Sequence, residues 1–277
     1  MIGLGLFTAV KVGASVLVVV GLSLLAERVG PRAAGVLSGY PLGAALSLFF
    51  IGLEIDPAFA ARSAVFTAGG LTATLAFAAG YLVGLRGAEK RHRPAAMALS
   101  ILPALVAYGA AAAVLAAIPL RWYSAPPVAV AGLLLAGRAF RRVPDAAVPV
   151  RTPFRLTVAL ARGVFAALAI VSITAAAHAV GPGWAGLFSA FPITMLPLLA
   201  IVQFSHPPAQ VRTILKNVPR GLGSLLVYVL VVAAAYPPLG VAKGTLLAYA
   251  AATAYLVAIE GLRRHRRHKP ASLAPKA

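Results

Sequence analysis

Val29-Gly30-Pro31-Arg32-Ala33-Ala34-Gly35-Val36-Leu37-Ser38-Gly39-Tyr40-Pro41 aligns without a gap to Val180-Gly181-Pro182-Gly183-Trp184-Ala185-Gly186-Leu187-Phe188-Ser189-Ala190-Phe191-Pro192. Gly, Pro, Ala, Gly, Ser and Pro coincide, and Tyr40 against Phe191 is conservative. The same offset pairs Pro57-Ala58 with Pro208-Ala209, Gly70-Leu71 with Gly221-Leu222, and Lys11 with Arg162. Chance accounts for one Gly-Pro match in so biased a sequence, but poorly for the whole run. An internal repeat decides architecture before any single element does.

The copies sit in a chain of 277 residues with 61% apolar and 11% charged content and a mean hydropathy of +0.90. Soluble domains average about 25% charged residues. Apolar runs recur along the length without period-2 alternation, and about 20 such residues cross roughly 30 Å of hydrocarbon as a helix. Nine segments are predicted: 4–26, 33–53, 64–85, 95–120, 124–139, 156–180, 184–204, 222–236 and 241–262. The expected fold class is an all-α integral membrane protein, with about nine transmembrane helices in two inverted-topology repeats.

Lys and Arg collect on the cytoplasmic side of membrane proteins. With the N-terminus outside and the C-terminus in the cytoplasm, only Lys11, Arg62, Arg121 and Lys243 of 25 basic residues fall outside. The offset carries the chain past five spans, an odd number, so the second copy enters upside down. The charges agree: Glu27, Arg28 and Arg32 surround the first Gly-Pro, whereas no Lys or Arg flanks Gly181-Pro182-Gly183. The expected organisation is a first repeat plus connector helix over 1–140, a basic cytoplasmic linker over 141–155, a second, inverted repeat over 156–262 and a basic cytoplasmic tail over 263–277. The membrane is expected to be a bacterial-type inner membrane. The net charge of +19 is read as topology signal and contact with anionic lipid heads, so lipids are expected partners and nucleic acid is not. A homodimer is left open.

The segment Trp184-Ala185-Gly186-Leu187-Phe188-Ser189-Ala190-Phe191-Pro192-Ile193-Thr194, followed by a loop and the basic, Gly-bearing stretch from Arg212 to Gly223, resembles the GlpM-type small membrane proteins. Those are single-copy proteins of about four helices with an Ala-Gly-Leu…Phe-Pro-Thr core, so this chain looks like a fused, duplicated form. The likeness is clearest in the second copy and covers about a third of the chain. The family has been tied to efficient exopolysaccharide production, which implies a transported metabolite or an accessory role. The first copy departs at Gly43, where Thr194 stands in the second.

Pro41 and Pro192 fall inside apolar runs. A proline removes a backbone donor and clashes with the carbonyl four residues back, so the carbonyls of Leu37 and Phe188 are expected to be freed. With Ser38 and Ser189 one turn earlier, each copy can offer a broken helix bearing a hydroxyl and open backbone. Inverted repeats with interrupted helices bind solutes where the halves meet. The alternative is a packing kink, with Gly35, Gly39 and Gly186 permitting close helix contact. The candidate substrate-binding set is Ser38, Tyr40, Pro41, Ser189, Phe191, Pro192 and Thr194, together with Lys11 and Arg162. The two cations are expected to snorkel to the interfaces. As a functional alternative they stand at opposite mouths of one pathway and favour an anionic substrate.

Trp122, Tyr123, Trp184 and Tyr236 fit interfacial aromatic belts. His178 and His206 have no partner at metal-ligand spacing. All six acids fall in loops or at helix ends, which disfavours a carboxylate-driven cation pump. There is no cysteine, and no P-loop, HExxH or nucleophile elbow, so neither an enzyme nor a cofactor is implied. The expected function is a secondary transporter or permease for a small polar or anionic solute, with a non-transporting accessory subunit of an envelope or exopolysaccharide assembly as the alternative.

Overall fold

Proline lacks the amide that a helix interior needs, and at both Pro41 and Pro192 the preceding helix stops three residues earlier. The computed structural model describes residues 2–88, 91–144 and 156–268. Helix α1 (Ile2–Ser38) ends before Pro41 and α2 (Gly43–Glu54) resumes after it. Three helices follow: α3 (Pro57–Ala88), α4 (Arg93–Ala116) and α5 (Ala125–Phe140). Then α6 (Leu156–Ser189) stops before Pro192, α7 (Met195–Ser205) resumes, and α8 (Pro208–His268) closes the described chain. Among the described residues there is no strand.

Five stretches are long and apolar enough to cross a membrane: Ala34–Glu54, Pro57–Ala88, Arg93–Ala116, Ala159–Ser189 and Pro208–Leu262. The outer surface agrees, since Leu17, Val106, Leu135, Leu168, Leu246 and Val257 are all exposed. A soluble monomer rarely leaves so much large apolar surface in water. The interior is built from small residues. On α3, Ala60, Ala64, Ala68, Ala73 and Ala78 are fully buried beside Leu71, Phe77 and Tyr81. That helix packs on α4, α5, α6 and α8.

Two of the long helices bend at glycine. Residues before proline avoid right-handed helical geometry, and Gly181, which precedes Pro182, takes φ 74° and ψ 173°. Gly240, after Pro237-Pro238-Leu239, takes φ 75° and ψ 171°. A Cβ at either would meet nothing within 4 Å, so left-handed backbone, not crowding, selects glycine there. These bends fall where a loop between spans was expected.

Three expected boundaries need correction. The loop expected between the first two spans is helical, because α1 continues through residues 27–32. Glu27, Arg28, Ala33 and Ala34 favour helix, whereas Gly30 and Pro31 between them do not. The basic stretch from Arg212 to Arg220 is likewise helix, since α8 begins at Pro208, where a missing donor does no harm in a first turn. At the C-terminal end α8 continues to His268, into the expected tail. Of the expected linker, residues 145–155 lie outside the described residues, as do residues 269–277. The short α5 is 16 residues long, about 24 Å at a rise of 1.5 Å per residue, less than the hydrocarbon thickness.

Helices α1 and α6 run antiparallel. Lys11 on α1 lies level with Thr174 on α6, whereas a Cβ on Gly163, further back along α6, would touch Val16 and Val20, further forward along α1.

Candidate functional site

The two breaks have the same local construction. After Ser38 the Gly39 amide donates to the Val36 carbonyl (3.1 Å), Tyr40 to Leu37 (3.1 Å) and Leu42 to Tyr40 (2.7 Å). After Ser189 the Ala190 amide donates to Leu187 (3.1 Å), Phe191 to Phe188 (3.0 Å) and Ile193 to Phe191 (2.7 Å). Every bond in the first set has its counterpart in the second at the offset of the sequence repeat. This pattern corrects one expectation: the Leu37 and Phe188 carbonyls are not freed. The tight i→i+3 turn hands each a new donor as the helix ends.

The serine hydroxyls are also engaged. Ser38 Oγ donates to the Gly35 carbonyl (2.8 Å) and Ser189 Oγ to the Ala185 carbonyl (2.8 Å), the back-bonding that short hydroxyl side chains favour in helices. Pro41 is buried, and its carbonyl accepts from Tyr249 Oη (3.2 Å). Tyr40 Oη shares a hydrogen bond with Thr253 Oγ1 (2.8 Å). Phe191 stands edge-on to Tyr108, with centroids 5.1 Å apart. Pro192 is buried and its carbonyl accepts the Leu196 amide (2.9 Å). Thr194 caps α7 with no side-chain hydrogen bond to its amides.

Hydroxyls with no motif to single them out surround the second break. Thr67 Oγ1 donates to the Gly186 carbonyl (2.9 Å), Tyr108 Oη to that of Leu187 and Thr74 Oγ1 to that of Ala190 (2.6 Å). In the membrane interior such partners substitute for water. Further along, Tyr81 Oη donates to Gln203 Oε1 (2.6 Å), and Gln203 Nε2 donates to the Ala96 carbonyl (3.0 Å) and Ser100 Oγ (2.9 Å). That network fastens α7 to α3 and α4.

Glycines seat each break against the other half of the chain. A Cβ on Gly35 would lie 2.9 Å from Asn217 Cβ and closer still to the Ile214 carbonyl oxygen; one on Gly186 would lie 2.7 Å from Phe66 Cβ and closer to the Ser63 oxygen. Residues 63 and 66 correspond to 214 and 217 at the repeat offset. Gly70 abuts Ala190, and Gly221 abuts Gly39, which is the same contact transposed. The breaks themselves meet where a Cβ on Gly43 would lie 3.2 Å from Ile193 Cβ.

Neither cation snorkels. Lys11 is 4% exposed and Arg162 is 5% exposed. The Lys11 ammonium forms an ion pair with Glu54, donates to Thr174 Oγ1 (2.7 Å) and lies 5.6 Å from the centroid of the Phe50 ring. Inside protein, a partner carboxylate and a hydroxyl do for the ammonium what the interface does for an isolated helix. Glu54 is at a helix end, as expected, but it is not a bystander. Lys11 thus sits at the far end of α2 from the break, and Arg162 is twelve residues from Thr174 along α6, about 18 Å at the helical rise. The structure therefore sets Tyr40 and Pro41 against Tyr249 and Thr253 of α8, and Phe191 against Phe77 and Tyr108 of α3 and α4, with the two breaks touching at Gly43 and Ile193; Lys11 and Arg162 stand at separate levels.

Trp122, Tyr123 and Trp184 are exposed, but Tyr236 is buried and shares a hydrogen bond with Thr245 Oγ1 (2.7 Å). The bend at Gly240 folds Thr245 back beside it, so the hydroxyl needs no interface. Among the described residues no three His, Asp or Glu side chains come together as a metal site. Comparison with protein-family models, curated proteins and solved structures finds no match to this chain.

Proposed function

We propose that this chain is a secondary transporter or permease for a small polar or anionic solute, working at the seam between two inverted copies of one helical unit. Nine crossings of a bacterial-type inner membrane, with the N-terminus outside, complete the reading. The observation that carries it is the pair of matched helix breaks meeting at Gly43 and Ile193. Broken helices at a repeat interface bring backbone dipoles and carbonyls to mid-membrane, where they can exchange internal partners for a solute. The antiparallel course of α1 and α6 supports the inversion. Alternating access would come from one half rocking on the other, with Lys11 and Arg162 drawing anions toward opposite ends of the pathway.

Topology can be tested without knowing the substrate, because the chain has no cysteine of its own. A cysteine at Arg28 is expected to label from the cytoplasm, and one at the exposed His178 from the other side. Labelling of both from the same compartment removes the inverted repeat. For transport, inside-out vesicles are assayed for uptake of labelled small carboxylates, phosphates and neutral metabolites. Arg162→Ala is expected to lower uptake of an accepted anion at least tenfold, the loss of one buried charge contact being worth about 1.4 kcal/mol or more. Unchanged flux in both Arg162→Ala and Tyr40→Phe eliminates the proposed site.

The close packing at Gly35 and Gly186 favours a second reading, a non-transporting accessory subunit, since a seam with backbone against backbone can serve as scaffold. The resemblance to GlpM-type proteins is compatible with both and rests on residues 184–194 and 212–223 alone. Vesicles that bind partners but pass no solute in the panel would select the accessory role.

A further inference from the structure

The geometry points to a carboxylate-binding site on Lys11, in which Glu54 is a built-in occupant that a small monocarboxylate solute displaces. The proposal deepens the transport reading by naming its substrate class, and rests on that reading for the step from binding to passage.

An ammonium as buried as that of Lys11 needs a permanent set of partners. Thr174 on α6 supplies one: its hydroxyl accepts from Lys11 and donates to the Val171 carbonyl (3.1 Å), so it is oriented by its own helix. The Phe50 ring on α2 lies alongside the charge. Glu54 supplies the carboxylate, and it differs from the other two in how it is held. It is the last residue of α2, the following Ile55 leaves helical geometry (φ −107°, ψ −81°), and only Asp56 separates that residue from α3. Its side chain is 21% exposed against 5% for the lysine. The carboxylate therefore lies on the open side of the ammonium, at a helix end, and can turn away without disturbing α2. A second carboxylate arriving from that side meets the same ammonium.

The charge balance sets the class. Lys11 offers one positive charge, Glu54 returns when the solute leaves, and the adjoining wall is the apolar Phe50. A monoanion matches the one charge of Lys11; a phosphate dianion would leave a surplus charge beside it among the described residues. In transport terms, Glu54 keeps the outer site neutral between turnovers and competes with the solute, so binding is reversible instead of a trap.

The test uses the whole protein, purified in detergent, with sodium acetate as probe against sodium chloride at equal ionic strength. In Glu54→Ala the carboxylate is gone and its space remains. Acetate at 50 mM is expected to raise the melting temperature of this variant by about 3 °C or more, because a ligand that binds only the folded state stabilises it. Wild type, with its site filled, shifts by less than a third as much, and Glu54→Ala/Lys11→Met does not shift beyond the chloride control. An equal shift in the double variant, or none in a folded Glu54→Ala, overturns the proposal. If Glu54→Ala does not fold, Thr174→Cys in the otherwise native chain reads the same site. Acetate should then slow its reaction with an anionic methanethiosulfonate at least threefold and leave the rate with a cationic one within twofold. Equal rates with and without acetate overturn it. Acetate binding in vesicles that pass no solute would sink transport while sparing the site; flux of carboxylates without acetate binding at Lys11 would do the reverse.

Discussion

Gly186→Ala is expected to deprive the protein of its fold, and Gly221→Ala to do the same from the opposite half. The added Cβ on Gly186 runs into the Ser63 carbonyl oxygen, with Phe66 Cβ at 2.7 Å; that on Gly221 runs into the Val36 carbonyl oxygen, with Gly39 Cα at 2.9 Å. In both cases the obstacle is backbone, so no side-chain rotation relieves it and whole helices must separate. Overpacking ordinarily costs about 1–3 kcal/mol when the surroundings can adjust, and about 3 kcal/mol or more is expected where they cannot. Membrane helices are especially sensitive, because lipid gives no hydrophobic drive to reseal them and packing carries the association. The Gly186 variant also pulls α6 from α3, which loses the Thr67 bond to the Gly186 carbonyl. Gly13→Ala and Gly109→Ala are the controls, since a Cβ at either meets nothing within 4 Å; both should melt within about 1 kcal/mol of wild type. Yield of monodisperse protein and melting in detergent decide the matter. If Gly186→Ala melts with Gly109→Ala, the cross-half packing described above is wrong.

Much of this packing could be anticipated from the order of residues alone. Prolines at 41 and 192 marked places where a helix must kink or break, although Pro103 stays inside α4 and Pro219 inside α8. Glycines at 35 and 186, at matched places in the sequence repeat, are what a close helix contact requires. What could not be read was rotational. Lys11 and Glu54 lie on different helices, and whether they face each other depends on the turn of α1 about its axis, which a helix exposed to lipid on one side does not announce. Taken singly, a lysine two turns into a helix suits the interface and a glutamate at a helix end suits solvent. The burial of Tyr236 is hidden for a related reason: its hydroxyl partner Thr245 follows a bend at Gly240 whose direction no local pattern encodes. The serines misled differently. A hydroxyl one turn before a proline can face a solute or its own helix, and only the hydrogen bonds to Gly35 and Ala185 decide for the latter.

The second large effect is expected at the ion pair. Lys11→Glu sets two carboxylates against each other beside Phe50, and Glu54→Lys sets two ammonium groups there. Removing one partner of a buried pair costs about 3–5 kcal/mol, toward the lower end here because Glu54 is partly exposed to screening. Each single reversal should therefore cut the yield of folded protein severely, whereas Lys11→Glu/Glu54→Lys should recover at least half of the loss. A double variant no better than the sum of its parts would mean that the two charges do not face each other. A neutral pair tests the purpose of the charges. Well-packed apolar replacements of a buried ion pair are often as stable as the original or more so. Lys11→Met/Glu54→Leu should accordingly melt no lower than wild type and lose any response to carboxylates. That outcome would separate what the pair does for solutes from what it does for the fold: stability alone gives no reason to keep a charge where methionine would serve. Melting of the neutral pair several degrees below wild type would instead make Lys11 and Glu54 a structural clamp between α1 and α2.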